Sequence, residues 1–247
     1  MPTDLIDYVT RLAPGLALVC VCSALLRGSA GTGLRAGILV LGFVLVRDAM
    51  TPLGFWRFGV TQGWVPWIRF TEDAVVLLVL AAASLLAAVL IPRADRELGA
   101  RVRWGTLGPR AMWEGIVGAA AVVIPFVALS TTVPLAERGG VVAVSALPSL
   151  LVFCLAGNFL EEVLFRGIIQ GELERRFRPI RTVIVSGLLF AACHAFLAST
   201  LTDIGWPLLA FTAVEGVACA WVRHRNGVLA ATVTHGSVIF VLASGLH

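Results

Sequence analysis

The sequence predicts an all-α fold, a polytopic membrane helix bundle with about eight transmembrane helices, and three observations carry that prediction. Of the 247 residues, 58% are hydrophobic and a further 25 are glycine, against roughly 45–50% for the same residues together in soluble domains. Charged residues make up only 14%, where about 25% is usual, too few to solvate a water-facing shell. The apolar residues come in long runs near 12–26, 36–54, 73–91, 112–130, 144–171, 181–198, 206–222 and 228–245. At about 20 apolar residues per span, the chain has room for these and little else. Disorder, coiled coil and collagen are excluded by the same composition.

The second run is broken by Arg47, Asp48 and Pro52, and the Trp-rich stretch after it (Trp56, Trp64, Trp67) reads as an interfacial belt. Residues 93–110 form the longest charged stretch, read as an interfacial helix or loop. The organisation expected is therefore N-terminal transmembrane helices with an interfacial segment over 1–110, then a membrane core over 111–247, which the resemblance described below implies to be the catalytic part. Arginines place the loops. Those at Arg27 and Arg35, in 93–110, at 175–181, and at Arg223 and Arg225 share one side if the spans alternate. Arg47, Arg57 and Arg69 mark the opposite side, with Arg138 in a further loop.

A formal charge of +4 could suggest a nucleic-acid binder, but basic residues in such a chain mark loops, so no nucleic-acid partner is expected. The partner expected from composition is the lipid bilayer; a membrane-associated protein or peptide substrate is what the family resemblance given below implies. All 19 basic residues are Arg, which fits a bacterial cell membrane; an acidic N-terminus lacks the basic region of a removable signal. Cys20, Cys22, Cys154, Cys193 and Cys219 all lie in apolar runs without metal-knuckle spacing and read as buried small hydrophobes.

Ionisable groups inside a span cost about 2.5–3.5 kcal/mol each and normally face a polar interior with a purpose. The last four runs concentrate them: Asn158, Glu161, Glu162 and Arg166 in the fifth, His194 in the sixth, Glu215 in the seventh and His235 in the eighth. Glu162 and Arg166, four apart on one helix face, read first as a structural ion pair. Glu161 is turned by about 100° from Glu162 and is left without a partner. Counted from one membrane face, Glu161, His194 and His235 lie about 15, 20 and 12 Å deep, so one depth can hold all three. A carboxylate with two imidazoles in a water-poor cavity suits activation of a water, with the second ring donating to a developing oxyanion. Hydrolysis is the natural chemistry.

At these residues the sequence resembles a known family. Asn-Phe-Leu-Glu161-Glu162-Val-Leu-Phe-Arg166-Gly167, then Phe190-x-x-x-His194, then His235 in a late helix, are similar to the three motifs of the glutamic-type intramembrane proteases of the CAAX-protease and bacteriocin-processing family, which includes CAAX prenyl endopeptidases. The resemblance covers about 145–245. It implies Glu161 as the water-activating base, Glu162 and Arg166 as its companions, His194 holding the water and His235 on the oxyanion side. No cofactor is implied, although a Glu with two His is a legitimate zinc set. Relatives commonly have Asn four residues after the last histidine, where this chain has Ile239; Asn158 and Ser237 are candidate substitutes.

The supporting set is thus Glu162, Arg166, Asn158 and Glu215, the last expected to pair with Arg166 or to neutralise a histidine. His224, His247 and Asp203 read as solvated, and Gly167 as a close-packing point. His-Glu-x-x-His and Gly-x-Ser-x-Gly are absent. The reading is an intramembrane endopeptidase; the alternatives are a proton or cation transporter, or an inactive immunity or scaffold protein.

Overall fold

The computed structural model describes residues 2–26, 30–62, 64–202 and 204–246. Arg27, Asp203 and His247 fall outside the described residues. The chain is 77% helical and every apolar run becomes a helix: α1 (Pro2–Leu25), α2 (Thr32–Met50), α3 (Ala74–Ala94), the single-turn α4 (Arg96–Gly99), α5 (Pro109–Ser130), α6 (Leu147–Glu162), the single-turn α7 (Gln170–Leu173), α8 (Pro179–Ala192), α9 (Trp206–Asn226) and α10 (Val228–Ser244). Among the described residues, five helical stretches, Thr32–Leu53, Ala74–Ala94, Pro109–Ser130, Val144–Leu173 and Pro179–Leu201, are long and apolar enough to cross a membrane. Two shorter apolar ones, Ala13–Leu25 and Val228–Ser244, accompany them.

Local signals set the boundaries. The Asp73 carboxylate accepts from the Val75 and Val76 amides, closing the N-terminus of α3, and Asp95 does the same for α4 through Glu97 and Leu98. Pro at the first helical positions opens α5, α6, α8 and α9.

The Trp-rich stretch is the first departure from expectation. It is an antiparallel hairpin of β1 (Trp56–Thr61) and β2 (Val65–Phe70), with Gly59 opposite Trp67. Trp56, Val65 and Ile68 are buried in it, and of its three tryptophans Trp64 is the exposed one. Two arginines of this region are not solvated: Arg69 donates to the carbonyls of Ile68, Gly140 and Leu242, and Arg138 to that of Val133. Burial pushes the pKa of both guanidinium groups down from the usual arginine range.

The second departure is in the long fifth run. After Glu162 the backbone widens into a π-helical turn over Val163–Ile169, followed by α7; a second π-turn, Leu197–Leu201, follows α8. Val163, Leu164, Phe165 and Ile168 of the first turn form a core with Phe190, Val40 and Ala88. A second core joins Leu77, Leu150, Cys154, Val238 and Leu242.

Helices α8 and α9 meet at small residues: a Cβ on Gly216 would lie 2.8 Å from the Gly187 carbonyl oxygen, so only glycine permits that approach. Gly167 packs against the Val102 side chain, in the extended stretch before α5 rather than on a helix. That stretch ties the charged linker to the end of the chain. The Arg103 and Trp104 carbonyls accept from the Val228 and Leu229 amides, and the Arg103 guanidinium donates to the His224 and Arg225 carbonyls. His224 therefore sits in the last turn of α9, and Arg223 is buried against Glu174.

Among the cysteines, Cys154 and Cys219 are buried, Cys22 and Cys193 half-buried and Cys20 exposed; all five are free.

Candidate active site

Between α1, α2, α3, the hairpin and the last helices lies a cavity of about 710 Å³. Its wall is mostly apolar, with Leu39, Phe43, Leu80, Phe153 and Phe211 among the contributors. Its ionisable and amide side chains are Asn158 and Glu161 on α6, His194 just after α8, Glu215 on α9, His235 on α10 and Arg47 on α2, with the hydroxyls of Thr51, Ser84 and Thr212 beside them. Four elements distant in sequence thus deliver Glu161, His194, Glu215 and His235 to one cavity wall.

Within that wall the side chains sort into two groups. The first centres on Glu162 and Arg166, which are buried behind the cavity surface, and reaches it through His235 and Glu215. Glu162 and Arg166, both 0% exposed, form the pair their spacing predicts, with Arg166 Nε 3.4 Å from Glu162 Oε2. Arg166 Nη2 donates to the Gly216 carbonyl at 3.1 Å, and its guanidinium stacks 4.2 Å above the Phe190 ring. The other Glu162 oxygen is 2.9 Å from His235 Nδ1, while His235 Nε2 lies 3.8 Å from Glu215 Oε2. His235 therefore donates through Nδ1 to Glu162, and its Nε2 is beyond hydrogen-bond range of Glu215. Among the described residues Glu215 makes an ion-pair contact with His235 and none within 4.0 Å of Arg166.

The second group faces the cavity more openly. His194 Nδ1 is 2.9 Å from the Phe190 carbonyl oxygen and Nε2 is 3.0 Å from Arg47 Nη1. Glu161 is half-buried and, among the described residues, makes no side-chain hydrogen bond or ion pair. Its carboxylate shares the cavity with both imidazoles but is hydrogen-bonded to neither. The motif neighbours Glu161 and Glu162 thus diverge: one is free in the cavity, the other is locked behind it.

Of the candidate substitutes for an amide at position 239, Asn158 lines the cavity and spends one N–H on the Cys154 carbonyl at 2.6 Å. Ser237 does not line it, whereas Ile239 does. The zinc set that the sequence suggests is Glu161 with two histidines. Among the described residues, the ligand atoms within 4.8 Å of one another belong instead to Glu162, Cys219 and His235. Glu162 of that group is also paired with Arg166.

Arg47 reads in the sequence as a loop marker, yet it lies inside α2 and touches His194. Only its position beside Asp48 within an apolar run hints at this, an ion pair being the usual condition for charges in such a place.

Residues 143–241 match the model of a protein family described as type II CAAX prenyl endopeptidase Rce1-like. The resemblance read from the motifs is thereby shown over that segment, which contains Glu161, Glu162, Arg166, His194, Glu215 and His235. No curated protein and no solved structure matches the chain.

Proposed function

We propose that the protein is an intramembrane endopeptidase of the glutamic type, hydrolysing a peptide bond in a C-terminal tail or leader of a membrane-associated substrate. The match of residues 143–241 to an endopeptidase family supports the protease class. The observation that carries the mechanism is the unpartnered Glu161 carboxylate in an apolar cavity shared with His194 and His235. A carboxylate without a hydrogen-bonded counter-ion, shielded by apolar walls, is free to take a proton.

Glu161 removes a proton from a water as its oxygen attacks the scissile carbonyl carbon. The carbonyl π electrons move to oxygen, and the resulting oxyanion is met by N–H donors of the wall. His235, oriented by Glu162 and flanked by Glu215, presents Nε2 to that oxygen once protonated; the remaining N–H of Asn158 is a second donor. Collapse of the intermediate re-forms the carbonyl and breaks the C–N bond, and the leaving amine takes the proton from Glu161. His194 can hold the water only by exchanging its Arg47 hydrogen bond for one to solvent, since Nδ1 is committed to Phe190. The apolar wall suits a segment that enters from the bilayer with its lipid-facing side chains or anchor.

The test is purified protein in lipid vesicles with a set of membrane-anchored peptides, the new termini being identified by mass spectrometry. Cleavage at a defined bond, undiminished by a zinc chelator, is expected. Rapid proton or cation flux with no cleaved peptide would favour a transporter instead.

A further inference from the structure

Helix α2 lies outside the segment matched to the endopeptidase family, yet its Arg47 reaches the site. Arg47 Nε and Nη2 lie 2.9 and 2.8 Å from Asp48 Oδ1. Nη2 also donates to the Cys193 carbonyl at 2.9 Å, and Nη1 is 3.0 Å from His194 Nε2. One guanidinium therefore grips both the backbone before His194 and its ring.

We propose that Arg47, held by Asp48, is a positioning residue of the catalytic centre, fixing the His194 ring through its hydrogen bond to Nε2. The inference rests on the protease reading above.

The tautomer follows from the partners alone. A carbonyl oxygen only accepts and a guanidinium only donates, so His194 carries its proton on Nδ1 and offers the Nε2 lone pair. Nε2 has a single lone pair, so Arg47 holds the ring in this tautomer until the hydrolytic water replaces the guanidinium as the donor to Nε2, with Nδ1–H still on the Phe190 carbonyl. Without Arg47 the ring keeps one tether, to Phe190, and either nitrogen can turn to the cavity. Asp48 is buried and makes the arrangement tenable, because an uncompensated guanidinium against an apolar wall would be costly. Helix α2 is thereby a working part of the site rather than a lipid-facing support.

Arg47→Gln removes the charge, and Arg47→Lys keeps it but cannot fork to Asp48, Cys193 and His194 together. The decisive measurement is ring ¹⁵N NMR of histidine-labelled protein, where there are only four histidines and His194→Gln identifies the signal. The wild type should show His194 protonated on Nδ1 with a hydrogen-bonded Nε2. Arg47→Gln should move it to tautomer-averaged shifts, and Arg47→Lys should fall between. In vesicle cleavage, kcat of Arg47→Gln should drop about 10- to 100-fold, the usual effect of losing a group that orients a catalytic one, with KM nearly unchanged.

Unmoved ring shifts, a wild-type proton on Nε2, or an unchanged kcat would each overturn the inference while leaving the protease reading to the behaviour of Glu161→Gln. If the wild type cleaves nothing, or Glu161→Gln cleaves as well as the wild type, both fall.

Discussion

Glu161 and Glu162 are adjacent in the chain and opposite in circumstance. Glu162 is enclosed by Arg166 and His235, and the three hold one another. Arg166→Met should leave the Glu162 charge buried with its main partner gone, costing about 3–5 kcal/mol; a lower thermal midpoint in detergent is the check. Glu161 has no such ties, so Glu161→Gln should leave that midpoint within about 1 °C of wild type, a surface-like change being worth at most about 0.5 kcal/mol. The sequence is informative about this pair, because a 100° rotation between neighbours separates the i,i+4 partner of Arg166 from the residue left over. It does not reveal the partner of Arg47 across the fold. A contact spanning 147 positions has no local signature, and the same holds for the choice of His235 to bond Glu162 rather than Glu161.

The elements are legible where burial is periodic or uniform and obscure where the backbone changes type. Apolar length alone locates the eight runs that become helices. The π-turn at Val163–Ile169 lies inside one continuous apolar run, which gives no sign of the widening, and it packs against Phe190 and α9. The hairpin hides behind its tryptophans, although Gly59 faces Trp67 so closely that a Cβ there would sit 2.3 Å from the indole. The linker before α5 depends on another glycine. Gly105 has φ of +76°, and a Cβ on it would lie 1.8 Å from the Asn226 carbonyl oxygen. Gly105→Ala should cost at least about 1–2 kcal/mol for the left-handed backbone alone, with the overlap added. Hydrogen exchange should then rise at the Val228 and Leu229 amides, which the linker carbonyls of Arg103 and Trp104 hold.

At the scale of the whole molecule, the cavity is lined from both sides of residue 110, so the N-terminal helices shape the space in front of Glu161. Gly157, one turn before Glu161, lines it, and a Cβ at that position would meet only the Phe153 ring, at an ordinary contact distance of 3.6 Å. Gly157→Leu should therefore preserve folding while filling the cavity next to the carboxylate, lowering kcat/KM for a membrane-anchored peptide at least about 10-fold, the equivalent of roughly 1.4 kcal/mol. Composition makes the bundle legible from the outset. The cavity is not, because its walls come from helices whose mutual packing no single run encodes.

The account turns on Glu161 as the base that activates water, and single-turnover cleavage by Glu161→Gln in vesicles addresses it most directly. An amide of the same shape cannot accept the proton, so the rate should fall about 10²- to 10⁴-fold with substrate binding and thermal midpoint retained. Cleavage at the wild-type rate by the folded variant would contradict it.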